Sequence, residues 1–514
     1  MKNKILSHYR LISFICGWLS VTALPPFNIF PLLFISIPLL LWIITNAPKR
    51  SQAFKSGYYF GFSFFAFGLA WINQALLIDA QSFGWLIPIV FISSGLFFGL
   101  FIAIPSLLSW LAQKIVSPYI SFAVFVSLGE WIRSFFLTGF PWNLFGSCFS
   151  FSLPLMQFAS IGGTYLLSLL LILSVSAPIF ITSKKLSQKM LSVIIPTIIL
   201  STMYFFGVDR IKMYPYTPST TSIRLVQPAI PQTLKWNSAS LNDNLNKHIK
   251  MSQFPGQDNI DFIIWGETAF PFALEYDTYQ RQKLQYATPK NGWLITGALR
   301  YSLSNNQVRH AYNSLFVINP QSEIVDFYDK SHLVPFGEYI PFRDFLPKWI
   351  RPITSAIGTF QAGSGPKVIT LKDQPSFGGM ICYETIFPHQ IIDSNHKPQW
   401  LINITNDGWY GNSSGPYQHL VATRLRSIEE GISIARVAGS GISALISPTG
   451  QIIGSIPLHQ SGTLDLNLPQ ESAILTIYNK FGNNIFFATC AILIIISVLT
   501  ALIKSYTKKI KAYK

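Results

Sequence analysis

The stretch "GGMICYETIF", residues 378–387, is a compact apolar run that stops on Cys382 and is followed two residues later by Glu384. A short unbroken apolar run of this kind reads as one fully buried strand. Cys382 is also the only cysteine between Cys148 and Cys490. A lone cysteine at a strand end has two readings. It is a small hydrophobe that packs, the more ordinary outcome on composition alone, or it is a thiol retained for chemistry. The rest of the chain has to decide.

The run sits in the polar part of a chain that is otherwise apolar. Of 514 residues, 50% are hydrophobic and only 12% charged, and mean hydropathy is +0.36. Soluble domains carry roughly twice that share of charge. The deficit lies in residues 1–208, where Asp79 and Glu130 are the only acidic residues. Apolar runs there reach the ~20 residues that cross a bilayer. Spans are expected near 11–27, 30–47, 57–77, 84–112, 117–138, 161–182 and 190–208, with an eighth at 484–503. Residues 1–23 also fit a signal peptide, with a basic start and an apolar core. The run 141–158, broken by Gly and Pro, reads as a re-entrant or interfacial segment. Glu130 and Arg133 are placed to pair across one helical turn.

The net charge of +16 is not a nucleic-acid footprint, because the basic residues cluster in every second loop. Lys2, Lys4 and Arg10 open the chain. Lys49, Arg50 and Lys55 follow, then Lys114, then Lys184, Lys185 and Lys189, and five lysines close the tail at 504–514. Lys and Arg mark cytoplasmic loops, so both termini are expected inside and residues 209–483 outside. That segment is nearly balanced, with 22 basic against 20 acidic residues. The expected layout is a membrane domain over 1–208, a linker over 209–222, an α/β domain over 223–475, a terminal span and a basic cytoplasmic tail.

Within the outer segment, strands are expected at 223–228, 259–268, 292–300, 311–320, 324–335, 377–385 and 398–407. A hairpin is expected around "SPTGQ" in 441–458, and the spacing of apolar residues over 415–438 predicts a helix. Strands alternating with helices point to a layered α/β fold. There is no phosphate-binding glycine loop and no His/Cys cluster of metal-ligand spacing, so neither metal nor cofactor is expected. Three strand ends carry isolated functional groups: Glu267 after "FIIWG", Lys330 after "IVDFYD", and Cys382. Together they hold what acyl transfer by a cysteine needs. A carboxylate takes the thiol proton, a cation favours the thiolate and the later oxyanion, and sulfur attacks.

The motifs "WGET", "YDKSHLVPFGEYIPFR", "GGMICYETIFP" and "NITNDGWYGNSSGPYQHL" resemble the nitrilase, or carbon–nitrogen hydrolase, superfamily. With spans on either side, the chain resembles its membrane-embedded branch, the apolipoprotein N-acyltransferase family. The resemblance implies an αββα sandwich beside a polytopic helical domain of about eight spans. It implies Glu267 as general base, Lys330 as the triad lysine and Cys382 as nucleophile. Glu338 matches the extra acidic residue beside the lysine, and Trp409 an aromatic at the site's mouth. Tyr383, Glu384 and Asn313 fall at supporting positions, and Trp265 is either a cavity wall or a core residue. The family often has "WPE" where this chain has "WGE"; the change leaves the carboxylate in place.

The activity so implied is a ping-pong acyl transfer. A phospholipid, phosphatidylethanolamine through its sn-1 chain, acylates the cysteine. The diacylglyceryl-cysteine terminus of an apolipoprotein then accepts the chain, in a bacterial inner membrane with the catalytic domain in the periplasm and the protein acting as a monomer. Residues 335–360 interleave aromatics, among them Phe342, Phe345 and Trp349, with Arg343, Lys348 and Arg351, a mixture suited to a lipid interface. They read as a lipid-gating arm or as a packed amphipathic loop. Two rivals stand beside the transferase. A membrane-anchored amidase would use water as acceptor, and a transporter or binding scaffold would use the spans, although those carry little of the intramembrane charge that transport needs.

Overall fold

The computed structural model describes residues 2–304, 307–347, 352, 360–393, 396–470 and 472–513. The chain forms two units, Met1–Met213 with Thr476–Lys514, and Tyr214–Leu475. The first is helical. Five of its helical stretches are long and apolar enough to cross a membrane: Arg50–Leu77, Ala80–Ala112, Ala159–Thr182, Leu186–Met213 and Asn484–Thr507. Shorter apolar helices cover Tyr9–Val21 and Phe30–Thr45, and Pro118–Arg133 is a further helix. The segment 141–158 folds as short helical turns, Phe145–Phe151 and Leu153–Met156. Glu130 and Arg133 turn to that segment. The amide of Phe145 donates to Glu130 Oε1 at 2.7 Å, and Arg133 Nη1 donates to the carbonyls of Phe140 and Trp142. Both residues thus supply hydrogen bonds to the backbone of the segment that follows, whose buried carbonyls and amides outside a helix need partners.

The second unit contains twelve described strands: β1 Pro218–Gln227, β2 Phe262–Ile264, β3 Trp293–Ser304, β4 Gln307–Ile318, β5 Ile324–Asp329, β6 Val368–Ile369, β7 Phe377–Ile381, β8 Trp400–Thr405, β9 Ser433–Ala438, β10 Ser443–Ile446, β11 Ile452–Ile456 and β12 Gly462–Pro469. They form two six-stranded sheets, β12-β1-β2-β3-β4-β5 and β11-β10-β9-β8-β7-β6. Alternate residues of both sheets meet in one core, with Leu225, Phe262 and Ile264 of the first sheet against Phe377, Ile381 and Trp400 of the second. The outer face of the first sheet packs Ile263 and Trp265 against Leu245 and Ile249 of the helix Leu241–Ser252. The outer face of the second packs Met380, Leu401 and Ile434 with Leu420 of the helix Gly415–Glu430. The order helix, sheet, sheet, helix is the αββα sandwich.

One expected element divides in two. The stretch 415–438 is not a single helix; the helix ends at Glu430, and Ser433–Ala438 is β9, paired in parallel with β8. Gly431, at φ +67°, takes the left-handed turn that stops the helix, a conformation glycine adopts without a Cβ clash. The β-branched and small residues of "SIARVA" then fit a central strand. The hairpin around residues 447–451 forms as β10 and β11, antiparallel.

Candidate active site

Each of the three singled-out groups lies just beyond the carboxyl end of a strand. Glu267 follows β2, Lys330 follows β5, and Cys382 follows β7. The first sheet therefore carries the carboxylate and the amine, and the second carries the thiol. All three are buried, as is Glu338.

Glu267 is held by backbone geometry. The carbonyl of Gly266 accepts from Gly297 N at 3.2 Å, and Phe270 N donates to Gly297 O at 3.0 Å, so the loop runs against β3. Thr268 bends it at φ +47°. A Cβ at Gly297 would stand 2.4 Å from Thr268 N and 2.7 Å from Glu267 Cα. Gly297→Ala is therefore expected to push the Glu267 loop off β3, at a cost of about 1–3 kcal/mol. Thermal unfolding compared with turnover checks this: activity in the variant should fall further than its stability explains.

Asn313, on β4, joins the two carboxylates. Its Nδ2 donates to Glu267 Oε1 at 2.6 Å and to Glu338 Oε1 at 3.1 Å. Lys330 Nζ lies 2.9 Å from Glu338 and 3.8 Å from Glu267. Its backbone amide donates to Asn313 O at 2.9 Å. Burial pushes the Lys330 ammonium down, but Glu338 and Glu267 outweigh it and raise its pKa, so it stays charged. Glu338 also accepts from Val334 N at 2.8 Å, which ties the segment after Lys330 to the same cluster. One group is left over. Glu267 Oε2 is buried with no hydrogen-bond partner among the described residues, which is costly unless a ligand or a reacting proton takes that place.

Cys382 sits at φ +51° on the turn from β7 into the short helical segment Cys382–Ile386. A non-glycine residue there stores strain of order 1–3 kcal/mol, tolerated where surroundings over-determine it. The surroundings do so. His419 Nε2 donates to the Cys382 carbonyl at 3.1 Å, and His419 Nδ1 lies 2.9 Å from Asp407 Oδ1. Arg436 Nη2 donates to Asp407 Oδ2 at 2.6 Å. Burial pushes the Asp407 carboxyl up, but Arg436 and His419 outweigh it and hold it down at about 2. Tyr410 Oη lies 3.8 Å from Cys382 Sγ. Burial pushes the thiol up to about 12; Glu267 adds to the rise and Lys330 opposes it. At neutral pH the resting sulfur thus carries its proton, and attack requires a base.

Glu384 braces the two sheets at this point. Its Oε1 accepts from Tyr328 Oη, Ser331 N and Ser331 Oγ, each at 2.7 Å, and from His332 N at 3.1 Å. Its Oε2 accepts from Ile381 N at 2.7 Å. One carboxylate therefore fixes the backbone after Lys330 to the backbone before Cys382.

Other expected positions fall elsewhere. Trp265 is fully buried in the outer core with its Nε1 donating to Ser252 Oγ at 2.9 Å; it packs and does not wall the cavity. Tyr383 is buried with its ring centroid 5.1 Å from that of Phe387 and 5.9 Å from that of His332. Trp409 is half-buried, and its neighbour Tyr410 is the residue that reaches the sulfur. Phe342 and Phe345 are 56% and 87% exposed, while Trp349 lies outside the described residues. Sequence reasoning passed over Lys235, which donates from Nζ to the Glu267 carbonyl at 2.8 Å and lines a recess with Asn244, His248, Glu267 and Asn406. It also passed over His419, Asp407 and Arg436. Asp407 and His419 lie inside the motif "NITNDGWYGNSSGPYQHL", and Arg436 is a polar residue inside an apolar strand; none was singled out by its own spacing. Among the described residues no cluster of three or more His, Cys, Asp or Glu could hold a metal ion.

The sandwich and its carboxylate, amine and thiol at three strand ends define a nitrilase-like enzyme unit. The carbon–nitrogen hydrolase family matches residues 222–478, and the apolipoprotein N-acyltransferase N-terminal domain matches residues 16–177. The apolipoprotein N-acyltransferase of Rhodopseudomonas palustris is 36% identical over 92% of this chain and 91% of its own length. The protein of the same name from Rickettsia prowazekii is 34% identical over 96% of this chain and 99% of its own. An amidase from Nesterenkonia sp. is similar at 16% identity, over 53% of this chain and 97% of that one, with a TM-score of 0.38. The chain belongs to the apolipoprotein N-acyltransferase family.

Proposed function

We propose that this enzyme moves an acyl chain from a phospholipid, through a thioester on Cys382, to the α-amino group of the diacylglyceryl-cysteine that begins an apolipoprotein. The observation that carries the mechanism is Glu267 Oε2, without a hydrogen-bond partner among the described residues, in the same buried site as a thiol that keeps its proton at neutral pH. In the first half-reaction Glu267 takes the Sγ proton while sulfur bonds to the sn-1 ester carbonyl of phosphatidylethanolamine. Lys330 and the amide following Cys382 hold the oxyanion; one such donor is worth about 100- to 1000-fold in rate. The oxyanion collapses, the glycerol oxygen leaves with the proton from Glu267, and lysophospholipid departs. In the second, the neutral amine attacks the thioester carbonyl, Glu267 takes the amine proton, and the C–S bond breaks as the proton returns to sulfur. Donor and acceptor use one site in turn, which is ping-pong kinetics.

The setting is a bacterial inner membrane. Eight spans, with cytoplasmic termini and the domain 223–475 on the periplasmic side, fit the alternation of basic loops. The enzyme acts as a monomer. Membrane seating spares the cost of drawing acyl chains into water, about 0.8 kcal/mol per CH₂. Residues 335–347 serve as the near part of the lipid arm. Its root is Glu338, whose carbonyl accepts from Phe360 N at 3.1 Å, and its exposed rings are Phe336, Phe342 and Phe345. Replacing Phe342 and Phe345 by Ser is expected to raise the apparent KM for lipid about tenfold, the equivalent of ~1.4 kcal/mol, with kcat little changed. A lipid dependence that stays put would remove the arm from the mechanism.

Purified enzyme given phosphatidylethanolamine and a synthetic diacylglyceryl-cysteine lipopeptide should release lysophospholipid and yield a lipopeptide with one added amide-linked chain. Free fatty acid as the sole product would make water the acceptor and turn the enzyme into a lipase; ammonia from small amides would make it an amidase.

A further inference from the structure

The buried groups of the site do not balance. Two carboxyl groups, Glu267 and Glu338, face a single amine, Lys330. Moving the thiol proton to Glu267 changes nothing in that sum, since the negative charge only passes from carboxylate to sulfur and then to the oxyanion. A buried cluster with one unpaired negative charge is costly, and its simplest relief is to hold a proton permanently. A proton held on Glu267 would leave the thiol without a base.

Lys235 stands where the missing charge is needed. It ends the turn Gln232–Lys235 after β1. Among the described residues its hydrogen bond is the one to the Glu267 carbonyl, which uses one of the three N–H donors of an ammonium, and the residue lines the recess beside Glu267. We propose that Lys235 is the second cation of the site, a positioning residue that keeps Glu267 ionised and so ready to take the Cys382 proton. The inference rests on the acyl-transfer reading only in the identity of base and nucleophile.

The other groups facing the sulfur do not supply this charge. Asp407 is negative but is satisfied by Arg436 and His419. Tyr410 has its pKa raised, first by burial and then by Cys382, and stays neutral. His248, across the recess, is pushed by burial down to about 4 and is neutral at pH 7. Burial pushes the Lys235 ammonium down to about 8 while Glu267 and Cys382 pull it back up, so below that pH it carries the charge. Lys235 already lies against Glu267 in the absence of any substrate. Its effect should therefore appear in a measurement without lipid.

The test is the rate of Cys382 alkylation by iodoacetamide between about pH 5 and 9, read from the mass of the Cys382 peptide in the full-length protein with no lipid present. Lys235→Met and Lys235→Gln are expected to move the acid limb of that profile up by about one pH unit, the usual effect of removing a close opposite charge, and to slow alkylation about tenfold at pH 6. Lys235→Arg should restore the parent profile. Gln retains a donor for the Glu267 carbonyl, so it serves if Met does not fold. Profiles of the neutral variants that superpose on the parent's, or an Arg variant displaced as far as Met, would overturn the proposal. Because no acyl donor or acceptor is present, failure of the acyl-transfer reading would leave this result intact, and the reverse holds as well.

Discussion

Glu267→Gln is expected to lower acyl transfer by about 1000-fold while leaving the fold intact. Positioned proton transfer contributes ~100- to 10,000-fold, and the resting thiol, pushed up to about 12 by burial, cannot ionise unaided at neutral pH. Gln keeps a carbonyl oxygen for Asn313, whose Nδ2 donates to Glu267 Oε1 at 2.6 Å, so the packing loss is small. The residual rate should climb with pH, because hydroxide then replaces the missing base. Single-turnover acylation of the variant across pH checks this. An acylation rate within tenfold of the parent at neutral pH would show that another group takes the proton. Lys330→Met is a different case. It would strand Glu267 and Glu338 without their shared buried partner, a loss of about 3–5 kcal/mol when one member of a buried pair is removed, so stability and activity would fall together.

The second large effect is expected away from the reacting atoms. Glu384→Ala removes the acceptor of hydrogen bonds from Tyr328, Ser331, His332 and Ile381. Donors left unpaired in a buried place cost about 1–3 kcal/mol each, and water entering the gap recovers part of that. A net loss of about 3–5 kcal/mol is expected, equal to a large fraction of a domain's stability. The geometry adds a catalytic consequence. Glu384 joins the strand end behind Lys330 to the strand end before Cys382, so the two would drift apart, and a displacement of ~1 Å is enough to cost about 100-fold in rate. Thermal unfolding and turnover of Glu384→Ala and Glu384→Gln measure both. Gln, with one acceptor oxygen, should recover stability in part and activity less. An Ala variant as stable and active as the parent would mean that the brace is redundant.

Glu267, Lys330 and Cys382 were legible as candidates because each interrupts a strong local pattern. An apolar strand that ends on Glu267, Lys330 or Cys382 stands out in the sequence, and the strands themselves form where the apolar runs lie. Asn313 and Glu338 were reached only through the family resemblance of the motifs around them. What stayed hidden depends on distant pairing. Lys235 sits in "PQTLKW", an unremarkable polar loop, and meets Glu267 only because β1 and β2 are neighbours in the sheet. The bond from His419 to the Cys382 carbonyl needs the helix Gly415–Glu430 laid against the second sheet, which no local spacing encodes. The resemblance put Glu384 at a supporting position, but not what it supports: its oxygens accept from the protein's own donors on both sides of the site. Trp265 was open between wall and core, and its indole N–H found Ser252 inside the outer layer. The helix drawn too long over 415–438 has the same origin. The apolar spacing of a buried central strand imitates a helix face, and Gly431 was the sign of the break.

The most direct measurement is the mass of the Cys382 peptide after the purified protein meets phosphatidylethanolamine with no acceptor present. A gain of one fatty acyl chain that hydroxylamine removes, accompanied by lysophospholipid and absent from Cys382→Ala, is the expected result. An unmodified Cys382 peptide, with transfer to a lipopeptide still proceeding when both substrates are supplied, would contradict the thioester and with it the ping-pong mechanism.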